Sequence, residues 1–443
     1  MKTKFVLIVS LFFVTLGFSQ KKWTLKECVD HALENNITVQ QNELNVELAE
    51  LTSKNAKANF LPNLNASTNG NLSAGSNFNP VTNNRTESQT FFGGGLGLSS
   101  GVTVFNGYRN LNTYKQAQLG VERSKLSLET IQNDISLRVV NSYLNILFAK
   151  ENLGVAEVQA EISKKQIEAA KERYDAGIIA KGDLLNFEST AANDQQNVVT
   201  QENILTIALL NLAQLLQIPS EGFDVADVNV GAPSNVLLYD NANMVYEKAL
   251  TTQPQIANAE LGIKNADYNI EIAKSAFLPT LTASVFTNTN YNYILKPSGI
   301  STGKLFSQLE GNLGYGLGFN LNVPIFNRGQ TKISVDRELV NKEISKVALD
   351  NEKLQLQQNI EQAFVDVKAA LKAYEAATIS LQAQQEAFNN AQERYTLGAM
   401  TLFDFDLVRN RLVSAQSTLI RNKFDYVFKT KVLQFYYGEL SLD

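Results

Sequence analysis

From 312 to 325 the chain alternates without a break. Leu313, Tyr315, Leu317, Phe319, Leu321, Val323 and Ile325 fall on one side, and Asn312, Gly314, Gly316, Gly318, Asn320, Asn322 and Pro324 on the other. Period two marks a strand. One face is wholly apolar and the other wholly small or polar, which predicts lipid on one side and water on the other. Companion strands are expected over 63–78, 92–104 and 280–293. Elsewhere the pattern turns helical. The segment 330–397 holds no Gly or Pro in 68 residues and is rich in Ala, Leu, Gln, Glu and Lys, all good helix formers. At 1.5 Å per residue it predicts a helix about 100 Å long. Its positions 364, 367, 371, 374, 378, 381, 385, 388, 392 and 395 keep coiled-coil spacing, and seven of the ten are Phe, Val, Leu or Tyr. An equivalent helix over 111–174 places Ile146, Leu153, Ala160, Ile167 and Tyr174 at strict sevens, a repeat that favours left-handed winding on a partner. Return helices are expected over 183–218 and 404–437. Helices this long need neighbours along their whole length, so assembly with other subunits is expected.

The pattern occurs twice. Phe60-Leu-Pro-Asn-Leu-Asn-Ala-Ser67 recurs as Phe277-Leu-Pro-Thr-Leu-Thr-Ala-Ser284, a shift of 217 residues. Val102-Thr-Val-Phe-Asn106 recurs as Val323-Pro-Ile-Phe-Asn327, and Glu172-Arg-Tyr174 with Gly177 and Asp183 recurs as Glu393-Arg-Tyr395 with Gly398 and Asp404, both shifted by 221. Ordered matches at nearly one offset indicate a duplicated unit. Each unit reads as helices, a strand pair, a very long helix, a turn and a return helix. The first repeat covers 20–217, with strands at about 60–106 and a long hairpin over 107–217. A linker over 218–241 is broken by Pro219, Gly222, Gly231 and Pro233. The second repeat covers 242–437, with strands at about 277–327 and a hairpin over 328–437, and a tail of 438–443 follows.

Residues 1–19 read as a secretory signal. Lys2 and Lys4 precede an apolar run from Phe5 to Leu16, and Gly17 and Ser19 are small residues at the cleavage-determining positions. Cleavage before Gln20 removes both lysines and lowers the formal charge from -5 to -7. An acidic chain whose Lys and Arg are not bunched makes a poor nucleic-acid surface. Cys28 cannot close an intramolecular disulfide, and His31 as the only histidine leaves no Cys/His metal cluster and only an ordinary setting for a catalytic base. No metal, no cofactor and no enzymatic activity are expected. No later segment approaches 18 uninterrupted apolar residues, so any membrane crossing must use strands.

Four strands cannot close a barrel, since single-chain barrels begin at eight. Open edges in lipid leave backbone groups unpaired at several kcal/mol each. Several protomers must therefore share one barrel, and two, three or four chains would give 8, 12 or 16 strands. Asn, Ser, Thr and Gly on the inner face favour a water-filled ring of three or more chains. Tyr291 and Tyr293, with Phe78, Phe91 and Phe92, are placed to form an outer aromatic girdle; Phe60, Phe105, Phe277 and Phe326 are placed to form an inner one.

The duplicated unit, the Phe-Leu-Pro junctions, the Val-x-x-Phe-Asn strand exits and the two Arg-Tyr-x-x-Gly-x-x-x-x-x-Asp turns resemble the TolC family of outer-membrane efflux proteins over essentially the whole mature chain. The resemblance implies a mainly helical protomer with membrane β-strands. It implies a homotrimer whose 12-strand outer-membrane barrel continues into a periplasmic α-barrel. It further implies an exit duct of a tripartite efflux pump or type I secretion system, joined through a periplasmic adaptor (membrane fusion protein) to an inner-membrane transporter. By the same resemblance the two turns are the periplasmic tips. Gly177 and Gly398 fall where adaptors dock. Asp404 matches an acidic ring at the entrance, with Asp406 nearby, while Leu407 occupies the family's second acidic position. Tyr395 and Asp183, with Tyr174 as the repeat counterpart, match positions that hold the closed state, and Met400 stands where a gating Arg can occur. Asp183 and Asp404 also read as helix N-caps, and Arg173 and Arg394 as surface or hairpin-bridging residues. A periplasmic adaptor, an extracellular coiled-coil protein and a carboxylate hydrolase are the competing readings. The amphipathic strand pairs, the duplication and the lack of a compact acidic pocket weigh against them in turn.

Overall fold

The computed structural model describes residues 22–76, 78–81, 83–85, 88–228, 237–296 and 303–439. The expected signal at 1–19, the central part of the expected linker with Gly231 and Pro233, and the last residues of the tail lie outside them. The chain divides into two compact units, one drawn from residues 42–128 and 254–352 and the other from residues up to 41, 129–253 and 353 onward. In chain order the elements are β1 (Lys22–Trp23), α1 (Leu25–Asn35), α2 (Ile37–Ala58), β2 (Asn65–Gly75), β3 (Phe78–Asn79), β4 (Asn84–Arg85), β5 (Gln89–Asn106), α3 (Arg109–Asp175), α4 (Lys181–Leu215), β6 (Asp224–Val225), α5 (Ala242–Thr252), α6 (Pro254–Lys274), β7 (Thr280–Lys296), α7 (Leu305–Gly311), β8 (Gly314–Asn322), α8 (Gln330–Thr396) and α9 (Leu402–Tyr437). The helices α3 and α8 run 67 residues each.

The first unit is built on an antiparallel sheet in the order β2-β5-β7-β8. Register fixes its two faces. Ala66, Leu98, Thr287 and Tyr315 lie side by side on one face, as do Leu72, Phe92 and Tyr293, and the pairs Val285/Leu317 and Ala283/Phe319 continue it. The opposite face carries Asn, Ser, Thr and Gly, with Phe286 and Phe91 among them. On the apolar face Leu317 is 64% and Phe319 68% exposed, so protein does not cover it. Among the described residues β2 pairs only with β5 and β8 only with β7, which leaves both outer edges open. The strand expected to reach 325 stops at Asn322, because Pro324 has no N–H to give a ladder. Above Asn288 the edge of β7 is met by α7 instead of β8. Gln308 Oε1 accepts from the Asn292 amide at 2.8 Å, and Asn312 Nδ2 donates to the Asn290 carbonyl at 2.8 Å.

The first turns of α3 are held to α6 by a polar ladder. Gln116 Nε2 donates to Asn269 Oδ1 at 2.6 Å, Arg123 Nε to Asn258 Oδ1 at 3.0 Å, and Arg109 Nε to Ser275 Oγ at 3.1 Å. Beside the last pair the chain leaves β5 through Gly107, at φ +66°, where a Cβ would stand 2.5 Å from the Ser275 carbonyl oxygen.

The second unit packs the remaining lengths of α3 and α8 with α4 and α9. Val139, Val140, Tyr143 and Ile146 of α3, Leu212 of α4, Ile360 and Val367 of α8, and Leu433 of α9 are buried. Each large aliphatic side chain so buried contributes roughly 1.5–3 kcal/mol. The parallel pair β1–β6 is pinned to α3. The Tyr143 hydroxyl lies 2.8 Å from the Ala226 carbonyl and 3.2 Å from that of Trp23, and Lys150 Nζ reaches Asp224 at 2.7 Å and Asp227 at 2.9 Å. Burial pushes the Tyr143 hydroxyl well above its ordinary range, as suits a side chain kept as a neutral donor.

Candidate functional site at the hairpin turns

Both long hairpins of the second unit turn in the same way. At the end of α3 the Ile178 amide donates to the Arg173 carbonyl and the Gly177 amide to that of Tyr174, each at 2.8 Å. At the end of α8 the Ala399 amide donates to Arg394 at 2.8 Å and the Gly398 amide to Tyr395 at 3.0 Å. This doubled pattern of bonds is the Schellman motif, which places its central residue in the left-handed region. Gly177 and Gly398 have φ of +73° and +74°, and no atom lies within 4 Å of where a Cβ would stand. Backbone conformation, not space, demands glycine at both positions.

The return helices start differently. Thr401 caps α9, its Oγ1 accepting from the Asp404 amide at 3.1 Å and donating to Asp404 Oδ2 at 2.7 Å. Asp404 is thus the third residue of the helix, and the cap expected at Asp404 is Thr401. In the first repeat Ala180 holds the cap position with no side-chain bond, and Asp183 again lies in the first turn. Both carboxylates sit at the positive end of a helix dipole, worth about 0.3–1 kcal/mol each. Asp404 is exposed and Asp183 half-buried.

Tyr395 joins the two hairpins. Its ring stacks on Phe405 at 5.0 Å and 19°, meets Phe187 at 6.4 Å and lies under the Arg173 guanidinium at 6.0 Å. Burial pushes its hydroxyl up, Arg173 opposes that shift, and Asp183 and Asp406 add to it. Among the described residues no hydrogen bond links Tyr395 to Asp183; rings and Arg173 make the connection at this level. Tyr174, its repeat counterpart, is 37% exposed and stands outside the stack. Met400 and Leu407 line a shallow surface depression with Gly398 and Asp404.

Sequence reasoning missed the polar cluster next to this layer. Arg409, 3% exposed, donates from Nη1 to Ser163 Oγ at 2.9 Å and to Gln166 Oε1 at 3.4 Å, and stands 3.5 Å from Asp194 Oδ2. Ser163 in turn donates to Asp194. Asp406 turns toward this cluster, its Oδ1 3.6 Å from Arg409 Nε, and neither atom has a hydrogen-bond partner. The signal was available, since Phe405, Arg409 and Leu412 fall on one helical stripe and all three are buried.

Burial holds the Asp406 carboxyl above its ordinary value of 3.8, with Arg409 opposing and Asp194 adding to the shift. A raised carboxyl favours the fold most when protonated, and its contribution falls as pH rises from 3.8 through the raised value. Asp406→Asn is therefore expected to gain stability relative to the native chain as pH climbs through that window. Paired denaturant titrations from pH 4 to 8 measure it, and a constant difference would refute it.

Among the described residues no group of three or more His, Cys, Asp or Glu could hold a metal. The profile of the family described as outer membrane efflux protein matches residues 28–216 and 245–438, that is, both repeats. The chain is 25% identical to the outer membrane protein TolC of Vibrio cholerae over 451 residues, covering 100% of this chain and 96% of that one. It is 25% identical over 339 residues to the pyoverdine export outer membrane protein OpmQ of Pseudomonas aeruginosa, covering 74% of this chain and 66% of that protein. In structure it resembles the Campylobacter jejuni CmeC outer membrane channel, with a TM-score of 0.76 at 20% identity over 94% of this chain and 86% of that one.

Proposed function

Because this chain belongs to the outer membrane efflux protein family, we propose that it is the exit duct of a tripartite efflux pump or type I secretion system. It passes cargo from an inner-membrane transporter and a periplasmic adaptor across the periplasm and outer membrane. The observation that carries this reading is the four-stranded sheet with one uncovered apolar face, one small polar face and two open edges. Lipid meets the first face, water fills the space behind the second, and β2 of one protomer pairs with β8 of the next until three protomers close a 12-strand ring. The second unit supplies the periplasmic helices. Tyr291 and Tyr293 at one end, and Phe60, Phe105, Phe277 and Phe326 at the other, lie at the two membrane boundaries. The protein acts as a conduit and not as an enzyme, with energy supplied by the transporter.

At the tips, Asp404 from three protomers forms an acidic ring that attracts cations. Tyr395, Asp183, Tyr174 and Asp406 belong to the packing that opens and closes the entrance, and Gly177 and Gly398 form the turns on which the adaptor docks. The test is planar-bilayer conductance of detergent-purified protein together with its oligomer mass. A conducting trimer supports the duct, and a non-conducting monomer overturns it. In the same assay Asp404→Ala is expected to raise single-channel conductance or reduce cation selectivity. Unchanged permeation in an assembled mutant would count against the ring.

A further inference from the structure

On the polar face of the sheet, register sets three rungs in succession. They are Ser67, Gly97 and Asn288; Asn69, Gly95 and Asn290; and Asn71, Gly93 and Asn292. In each rung β5 offers only backbone, while β2 and β7 raise a hydrogen-bonding side chain on either side. A Cβ at Gly95 would stand 3.2 Å from Asn69 Oδ1, at Gly93 3.3 Å from Asn292 Oδ1, and at Gly97 3.1 Å from Ser67 Oγ. The walls therefore lean over the middle strand, and any larger residue there would fill the space between them.

The result is a trough of about 610 Å³ with no charged residue in its lining. Strands about 4.8 Å apart put its walls roughly 10 Å apart, and rungs repeat about every 6.8 Å along β5. Those dimensions suit one extended chain and not a folded ligand. Each asparagine amide offers two donors and an acceptor, and among the described residues none of the five wall amides has a hydrogen-bond partner within the protomer. Hydroxyl groups both donate and accept, so a polyol answers an amide whichever way it turns. A charged ligand would lose hydration here and find no counter-charge. Phe91, which also lines the trough, adds an apolar ring for the carbon face of a sugar.

We propose that this trough is a binding track for an uncharged polyhydroxyl chain, an oligosaccharide segment that is either cargo or part of the cell's surface polysaccharide. The proposal rests on reading the polar face as the lumen. Its test is current blockade of the reconstituted channel by a linear neutral maltooligosaccharide, compared with polyethylene glycol of matched size, which accepts hydrogen bonds but does not donate them along its chain. Blocking events from the saccharide are expected to last about tenfold longer, the factor two hydrogen bonds carry. Asn69→Ala/Asn290→Ala should shorten them to the polyethylene glycol level while open conductance persists. Equal blockade by the two polymers, or unchanged events in the variant, would overturn the track. Faster events from the strand side point to surface polysaccharide, and from the helical side to cargo. If the native protein carries no current, the channel reading fails, and calorimetric titration of the detergent-solubilised protein with the same saccharide still decides the track. Heat that disappears in the double variant supports it, and no heat in the native protein overturns it.

Discussion

Arg409→Ala is expected to destabilise the hairpin unit by about 2–4 kcal/mol, the largest loss from any single side chain near the turns. Two effects add. The guanidinium is the cation facing Asp194 and Asp406, whose side chains are 18% and 23% exposed, and its removal leaves two partly buried carboxylates with no opposing charge. The figure is set below that for fully enclosed pairs because both acids keep some water. The substitution also empties space on the stripe between Phe405 and Leu412, which adds a cavity term. Denaturant unfolding of the detergent-solubilised protein measures the loss. Combining Arg409→Met with Asp194→Asn and Asp406→Asn should recover most of it, because removing a buried charge set as a whole is far cheaper than orphaning part of it. A loss under about 0.5 kcal/mol for Arg409→Ala would mean that water already screens the cluster as it does at exposed pairs.

Gly107→Ala is expected to cost about 3 kcal/mol and to lower the yield of assembled protein, whereas Gly329→Ala costs about 1 kcal/mol. The two glycines stand one position apart in the repeat, the 221-residue offset setting Gly107 opposite Arg328 and Tyr108 opposite Gly329, and both have positive φ, +66° and +74°. They differ in surroundings. A methyl on Gly107 would meet the Ser275 carbonyl oxygen at 2.5 Å and Leu278 Cβ at 2.8 Å, while nothing lies within 4 Å at Gly329. Ser275 is itself held by Arg109, so it cannot yield without disturbing the start of α3. The difference between the two variants separates steric conflict from backbone preference. Equal losses would show that conformation alone sets the cost.

Long-period features of this fold were legible in the sequence because each is a local regularity. The alternation at 313–321 specified β8 and its apolar side. The Gly-free and Pro-free run specified α8, which ends at Thr396, one residue before the expected Leu397. The doubling of Glu-Arg-Tyr with Gly marked two turns that share a bond pattern. What escaped depends on contacts distant in sequence. Ser163 meets Arg409 across 246 residues, and nothing local to either residue records the other. The short helix α7 falls between the strands expected over 280–293 and 312–325, and its hold on β7 comes from Gln308 together with Asn312, which the alternation assigns to the start of the strand. At the turn, residue type alone marks Asp404 as a cap. The backbone instead gave the cap to Thr401 and the first helical turn to Asp404.

The open edges of the sheet also determine the order of events in biogenesis. A lone protomer entering lipid would expose the outward N–H and C=O groups of β2 and β8, and at several kcal/mol for each unmet group that state is not a usable intermediate. Edges must find their partners before or during entry, so insertion is concerted with association. Its rate therefore rises more steeply than linearly with the supply of secreted protomers. Slow supply of protomers therefore prolongs the time for which each chain carries an unpaired edge on either side, the condition under which strands pair with the wrong partner.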